Sequence, residues 1–447
     1  MRNVARLFLL ISVVLCFASS VYAEHLFGPD ELDTTYGAVF RLRQELWENA
    51  FDVDTLGRKN DNFFRLKSSV FVNFEYAKKY GLFVKLTNEA RYYINSGAAA
   101  NNSFDEDEII FDNLYADFKN AFGLPVDVRL GRQDFLNYFG EGFLVMDGTP
   151  ADGSRTFFFN AARVTWKPHK NHSVDFVYIT DPRTDIYLPI AYSATKKSLT
   201  TSDEQGFVVY GKNKILDTLQ VEPYYIHKTE DSFSTVSRLR LNTVGARAVF
   251  TYSGWKLRGE YAHQFGEYTN GTDRKGDGGY VFVGRKYDKV MWKPEFDLGY
   301  VYMSGDDPAT TTEIESWNPL FSRWPIYSEL LVFTLANETT ALGGGVPAYW
   351  TNMHIYRANV KLNFTDATNL NLWYNYLRAD ERTSALNANM FSNSGKERGH
   401  LYQAMVSHKF SKKVDGYVLT EYFDPGDFYG RAADNALFFR WQLQVKL

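Results

Sequence analysis

Apolar and polar residues alternate with a period of two in segments of roughly ten to fourteen residues, repeated along almost the whole chain. A strand turns successive side chains to opposite faces, so this pattern specifies strands with one greasy and one polar face. In the first clear segment Tyr36, Ala38, Phe40, Leu42 and Leu46 share one face, and Arg41, Arg43 and Glu45 share the other. Next, Phe64, Leu66, Val70, Val72, Phe74 and Tyr76 oppose Arg65, Lys67, Asn73 and Glu75. Between Leu82 and Ile94, Lys85, Thr87, Glu89 and Arg91 again fall on one parity. Helical periodicity is nearly absent, and the expectation is an all-β chain.

A soluble sandwich and a membrane barrel both alternate in this way, and the connections separate them. Short turns are predicted near Lys78 to Tyr80, Asn120 to Gly123, Pro168 to Asn171, Lys214 to Asp217, Ser253-Gly254, Met291 to Lys293, Thr365 to Thr368 and Ser411 to Lys413. Long polar stretches lie between them: Glu48 to Asn62, Asn95 to Asp107, Asp134 to Arg155, Asp181 to Asp203, Gly305 to Tyr349 and Asp380 to Glu397. Short turns at one end and long loops at the other mark an outer-membrane barrel, whose chain enters and leaves on the periplasmic side; the segments number about eighteen, even as that topology requires. Composition agrees. Aromatic residues make up 17% of the chain (30 Tyr, 36 Phe, 9 Trp), as aromatic girdles demand. Mean hydropathy is −0.34, and past the N-terminus no apolar stretch is long enough for a membrane helix. The last segment sets Leu437, Phe439, Trp441, Leu443, Val445 and Leu447 against Phe438, Arg440, Gln442, Gln444 and Lys446, the form of a closing strand presented to the barrel assembly machinery.

The first residues read as an export signal: Arg2 and Arg6 precede an apolar run from Leu7 to Phe17, and Val21-Tyr22-Ala23 offers small residues to a signal peptidase. Residues 1–23 are therefore assigned to a secretory signal peptide and 24–447 to one barrel domain, with a periplasmic stub from Glu24 to Asp33. The only cysteine, Cys16, follows Leu15, where a lipobox wants a small residue, so lipidation is not expected. A mature chain without cysteine excludes disulfides, thiol nucleophiles, Cys-based zinc sites and covalent c-type haem attachment. Removing Arg2 and Arg6 leaves 47 basic residues against 53 acidic ones, a net charge near −6, and no nucleic-acid partner is implied. The expected partners are outer-membrane lipid and lipopolysaccharide, the assembly machinery, an anionic polysaccharide or small anions, and a periplasmic protein; no cofactor is expected.

Five stretches resemble the alginate export porins of outer membranes. They are Phe40-Arg41-Leu42-Arg43-Gln44-Glu45; Leu130-Gly131-Arg132-Gln133 with Tyr138, Gly140 and Gly142; Arg155-Thr156-Phe157 ahead of Arg163; Tyr302-Met303-Ser304-Gly305-Asp306-Asp307 followed by Asn318-Pro319-Leu320-Phe321, Trp324 and Tyr327; and Glu421-Tyr422-Phe423-Asp424-Pro425-Gly426-Asp427. The resemblance implies an 18-stranded barrel whose basic lumen passes a uronic-acid polymer, without fixing the cargo.

The strand parities add an anion path of their own. Arg41, Arg43, Arg65, Lys67, Lys85, Arg91, Arg129, Arg163, Arg247, Arg258 and Arg440 all fall on the polar, lumen-facing parity. Guanidinium forks suit carboxylates, and rings of Arg and Lys make anion-selective pores. Glu45, Glu75, Glu89, Asp127, Asp175, Glu260 and Glu421 share those faces, so any single arginine is expected to pair with a carboxylate while the set governs selectivity. Arg129 and Arg163 are placed near the narrowest electrostatic point. The aromatic-rich connection from Gly305 to Tyr349 is expected to fold inward or over the mouth, because so many exposed rings are uncommon.

His169 and His172 flank a turn without a third ligand, and His263 and His408 fall on the lipid-facing parity. The acidic run Asp105-Glu106-Asp107-Glu108 reads as a solvated loop before it reads as a calcium site, and Asp306 and Asp307 read as turn-makers. No Gly-x-Ser-x-Gly is present and no catalytic set is recognised, so passage is favoured over catalysis. A sheath around a multihaem cytochrome, or an outer-membrane enzyme, are the alternatives, and neighbouring genes would discriminate between export and sheath.

Overall fold

The computed structural model describes residues 32–50, 60–96, 101–145, 158–191, 199–322, 327–330, 351–383 and 391–447. Its strands, in chain order, begin with β1 (Leu32–Glu48), β2 (Asp61–Tyr76), β3 (Tyr80–Asn95), β4 (Ser103–Phe118), β5 (Val126–Gln133) and β6 (Phe159–His169). They continue with β7 (His172–Asp181), β8 (Glu204–Leu216), β9 (Leu219–Glu230), β10 (Leu239–Tyr252), β11 (Trp255–Tyr268) and β12 (Asp273–Lys286). After β13 (Glu295–Met303) come the two-residue β14 (Glu313–Ile314), β15 (Met353–Asn363), β16 (Thr368–Arg378), β17 (Glu397–Lys409), β18 (Val414–Pro425) and β19 (Ala436–Lys446).

Eighteen of these strands pair antiparallel in chain order and close into a barrel where β19 meets β1. The nineteenth, β14, lies parallel to the start of β12, beside the wall and not within it. Closure is in register from Val39↔Lys446 to Glu48↔Leu437, and Leu447 donates its N–H to the Ala38 carbonyl at 2.8 Å. No backbone edge is left unpaired along this seam, which is what lets a sheet sit in hydrocarbon.

All eight predicted short turns fall between wall strands at one end. The tightest, between β10 and β11, has both Ser253 and Gly254 at positive φ (47° and 81°), the type I′ geometry whose twist matches that of the flanking strands. Many strands are longer than the about 9–11 residues that cross a bilayer, so their far ends project beyond it. Two boundaries differ from the sequence reading. The acidic run is not loop: β4 already begins at Ser103, its pairing with β3 continues through Arg91↔Asp105, and the loop shrinks to about 96–102. Asp33, assigned to the stub, sits in β1 opposite Glu75. In both cases cross-strand pairing extends past the apolar alternation, because ladder hydrogen bonds need no particular side chain.

The outward parity carries the greasy residues, with Val70, Leu82, Leu257, Val281 and Leu298 exposed. Toward the long-loop end the same face turns to tyrosine and histidine. The Tyr300 hydroxyl lies 2.7 Å from Nδ1 of His354, and Nε2 of His354 lies 3.0 Å from Asp380. This is the amphipathic belt expected at a membrane–water boundary. His263 and His408 lie on this face as expected, His263 beside Asp277 at 2.9 Å and His408 beside Thr368 at 2.7 Å.

Candidate functional site: a lumen crossed by inward segments

Each of the eleven basic residues named from the sequence lies on the inward parity, and most meet carboxylates on neighbouring strands. Glu45 is a shared acceptor: Arg65 approaches it at 3.2 Å, Arg440 at 2.9 Å and Arg43 at 3.7 Å. Arg43 also donates Nε to Gln442 at 2.7 Å, across the closing seam. Glu89 takes Arg65 at 2.8 Å and Arg91 at 3.2 Å, and Asp112 takes Lys85 at 2.6 Å. Arg41 and Lys67 lie in the same stretch of wall, facing each other across β1 and β2. Farther round, Arg258 is held bidentately by Asp297 (2.8 and 2.6 Å) and again by Glu141 at 2.7 Å, while Arg247 meets Glu222 at 2.9 Å.

Arg129 and Arg163 face each other directly in the β5–β6 ladder, yet their environments differ. Arg129 makes the fork-to-fork pair with Asp117 at 2.7 and 2.8 Å. Arg163 instead stacks over the Tyr138 ring at 4.2 Å, and among the described residues no carboxylate lies within ion-pair distance of it. Lys212 approaches the same ring, its ammonium 3.3 Å from the centroid. Cations over an aromatic face are attracted by its quadrupole, so Tyr138 holds both charges; Lys212 also lies 3.6 Å from Asp175, while Arg163 has the ring in place of a carboxylate.

Tyr138 belongs to the first inward segment, 134–145, between β5 and β6. Phe135 packs on Phe159 (5.0 Å), Phe139 on Tyr210 (5.0 Å) and Phe143 on both Tyr280 (5.6 Å) and Trp317 (5.4 Å). The Tyr138 hydroxyl donates to Asp175 at 2.8 Å. Gly140 adopts φ +55°, and a Cβ there would stand 3.0 Å from the Arg247 side chain, so neither the backbone nor the space suits another residue.

The second inward segment belongs to the long connection between β13 and β15. Trp317, Leu320 and Phe321 are buried, and Asn318 exchanges hydrogen bonds with Gln264 of β11, 2.8 Å each way. Lys228 of β9 donates to the Leu320 carbonyl at 2.7 Å. Residues 327–330 contact the other side. The Glu421 carboxylate of β18 accepts the Ser328 hydroxyl (2.6 Å) and the N–H groups of Glu329 (3.2 Å) and Leu330 (3.1 Å), while Arg440 of β19 grips Glu329 at 2.6 Å. In the ring β9 and β18 are eight places apart out of eighteen, nearly opposite. The described residues on either side of 323–326 thus touch opposing walls, and the connection folds inward as its aromatic content predicts. Trp324, Phe333 and Tyr349 lie outside the described residues, as do Arg155, Thr156 and Phe157.

Several inward charged residues were not singled out from the sequence. Lys212 and Lys228 follow the non-alternating runs Phe207-Val208-Val209-Tyr210 and Pro223-Tyr224-Tyr225-Ile226, which hide their parity, and Glu141 lies in a connection. Arg357 was missed likewise; it lies inward on β15, donates to Asn375 at 2.7 Å and stacks on Tyr327 at 5.2 Å. Arg132, by contrast, takes the outward parity, where Asp185 of the β7–β8 connection covers it bidentately at 2.9 and 2.6 Å. At the rim Asp306 and Asp307 make turns as read, accepting the N–H groups of Glu315 and Ala309. Burial raises the Asp306 carboxyl above its usual value against the Glu315 N–H bond and the charge of Arg274. For Asp380 burial is outweighed by hydrogen bonds from His354, the Gly305 N–H and Tyr302, and its carboxyl sits below the usual range. Among the described residues no group of three or more His, Cys, Asp or Glu could hold a metal ion.

The alginate export family profile matches residues 33–442. The chain belongs to the alginate export family. Several of the residues that carry the resemblance seat the inward segments: Tyr138 and Gly140 in the first, Asn318 to Phe321 in the second, and Glu421, which holds Ser328 to Leu330. Members are outer-membrane barrels, and this chain is an outer-membrane channel of that kind. No match is found among curated protein sequences. Among solved structures the barrel is similar to Acinetobacter baumannii OccAB1 (12% identity, TM-score 0.58, covering 93% of this chain and 96% of that one). It is also similar to Pseudomonas aeruginosa OccD3 (10%, TM-score 0.57, 94% and 93%) and to the Pseudomonas aeruginosa outer membrane protein OprD (10%, TM-score 0.55, 92% and 94%). At these identities the likeness is one of fold.

Proposed function

We propose that this channel passes anionic solutes, a uronic-acid polymer such as alginate among them, through its Arg/Lys-lined lumen, and that it catalyses no reaction. The observation that carries the reading is Arg163, which stacks on Tyr138 with no carboxylate within ion-pair distance among the described residues. Where Arg129 is neutralised by Asp117 and Lys212 is compensated by Asp175, Arg163 keeps a positive charge in the lumen that suits a sugar carrying a carboxylate. Residues 1–23 are the cleaved export signal in this reading, and β19 is the strand offered to the assembly machinery. Lipopolysaccharide meets the outward tyrosine–histidine belt. The cytochrome-sheath reading fares worse, because the inward segments occupy the space a cytochrome would need.

The test is the reversal potential of single channels in a salt gradient. Replacing Arg163 with Glu should move it toward cation preference, Arg129→Glu should move it less, and the double variant most, with the largest shift at low salt because screening acts over about 8 Å at physiological ionic strength. Wild-type selectivity in a folded double variant overturns the anion reading.

A further inference from the structure

The short-turn end of the lumen holds a recess that the barrel does not need for closure. It has a volume of about 610 Å3 and lies between the β6–β7 turn, the end of β8 and the start of β9. Lys167, Lys170, Lys212 and Lys214 line it, with His169 and Ser173 beside them. A volume of this order falls within the roughly 300–1,000 Å3 typical of small-ligand sites.

Four ammonium groups around one opening would repel each other, so the disposition of their counter-charges decides what the recess can hold. Lys167 is paired with Asp127. Lys214 meets Asp217 at 2.7 Å, but that aspartate side chain is 96% exposed and its field is largely screened. Lys212 lies 3.6 Å from Oδ2 of the buried Asp175, whose Oδ1 accepts the Tyr138 and Thr165 hydroxyls, so this lysine is compensated by a carboxylate. Lys170, at the turn, has no carboxylate partner among the described residues. The recess therefore keeps positive charge to offer at Lys170 and Lys214, and its Lys212 touches Tyr138, the ring on which Arg163 also stacks.

We infer that this recess is the docking site for a carboxylate-bearing sugar unit arriving from the periplasm, handed from Lys170 and Lys214 at the rim to Lys212 and then past Tyr138 to Arg163. The inference rests on the anion-passage reading and adds a place and a side. Ammonium groups suit such a site: they are compact, flexible point charges that hold an anion without the fixed fork of arginine, so a moving polymer exchanges partners readily. The Ser173 hydroxyl supplies a hydrogen-bond partner for sugar hydroxyls.

The experiment uses the whole barrel inserted in one orientation in a planar bilayer, with a short oligouronate added to either side and current block recorded. The Lys170→Gln/Lys214→Gln variant should weaken block from the short-turn side by about tenfold, the effect of losing two partly exposed charge contacts of up to about 1 kcal/mol each. Block from the long-loop side should stay as in wild type, and Lys→Arg at both positions should restore binding. A neutral oligosaccharide of equal length should not block, and inorganic phosphate should compete only in large excess. Equal block of the Gln variant and wild type from the short-turn side overturns the docking site while leaving anion passage intact. Phosphate competing on equal terms with the oligouronate overturns the sugar assignment, leaving a general anion trap. If oligouronate fails to block wild type from either side while anion selectivity persists, the polymer reading falls, and the docking site with it.

Discussion

The wall formed by β19, β1, β2 and β3 and the wall formed by β8 to β12 face each other across the lumen, β1 and β10 being nine places apart in a ring of eighteen. Both must keep carboxylates in a confined interior, and they satisfy them differently. On the first wall Glu45 and Glu89 are met by guanidinium groups. On the second, Glu260 accepts the hydroxyls of Tyr224 (3.0 Å) and Tyr280 (2.8 Å), and Glu222 accepts that of Tyr210 beside Arg247. Arginine compensates a charge and leaves the surface polar; tyrosine satisfies the oxygen and presents an apolar face. That is why Phe139, Phe143 and Trp317 of the inward segments settle on the second wall: burying one large side chain contributes about 1.5–3 kcal/mol, more than a typical hydrogen bond adds.

The sharpest way to break this contrast is Glu45→Ala. Removing one carboxylate that serves three buried arginines should cost about 3–5 kcal/mol and lower the temperature at which the folded barrel converts to the unfolded band on an electrophoretic gel. An unchanged transition would mean that the first wall is as solvated as an ordinary surface and the contrast is false. Deleting residues 318–330 should have the complementary outcome. Single-channel conductance should rise, because the crossing from Gln264 to Glu421 is gone, while the barrel still closes on its intact strand ladder. Unchanged conductance would show that the segment does not restrict the pore.

The smallest effect belongs to the rim. The folded value of Asp380 lies below its unfolded value, so the stability it contributes is present above the ordinary aspartate value of 3.8 and is lost as pH falls through the lower folded value. Hydrogen exchange at the Gly305 N–H, which donates to Asp380 at 2.8 Å, should speed up in that acid window by less than about 1 kcal/mol of protection. Asp380→Asn should abolish the pH dependence. Pronounced acid sensitivity that survives the substitution would place the titrating group elsewhere.

The sequence showed the wall well and the interior poorly, for a physical reason. Period-two alternation records which face meets lipid, and it identified Arg65 and Lys85 as inward without any knowledge of their partners. What fills a lumen is set by contacts between residues far apart in the chain. That Glu421 would hold the backbone of Glu329 and Leu330, or that Lys212 and Arg163 would share Tyr138, leaves no local periodicity. The aromatic count of the Gly305–Tyr349 connection did signal inward folding, because burial of rings is a demand the sequence states by itself. Pairing at the start of β4 was hidden for the opposite reason: ladder bonds there ignore an acidic run.

The seam between β1 and β19 has a kinetic meaning as well. Arg43 and Gln442, hydrogen-bonded across it, are 399 residues apart in the chain. Contacts of such high order form slowly, since their loop-closure entropy is spent before any reward arrives. Until the last strand docks, both borders of the sheet expose unpaired backbone, the condition under which intermediates aggregate. That exposure lasts until the final residues meet the first strand, so substitutions at Ala38 or Leu447 should show in the yield of folded barrel before they show in its stability.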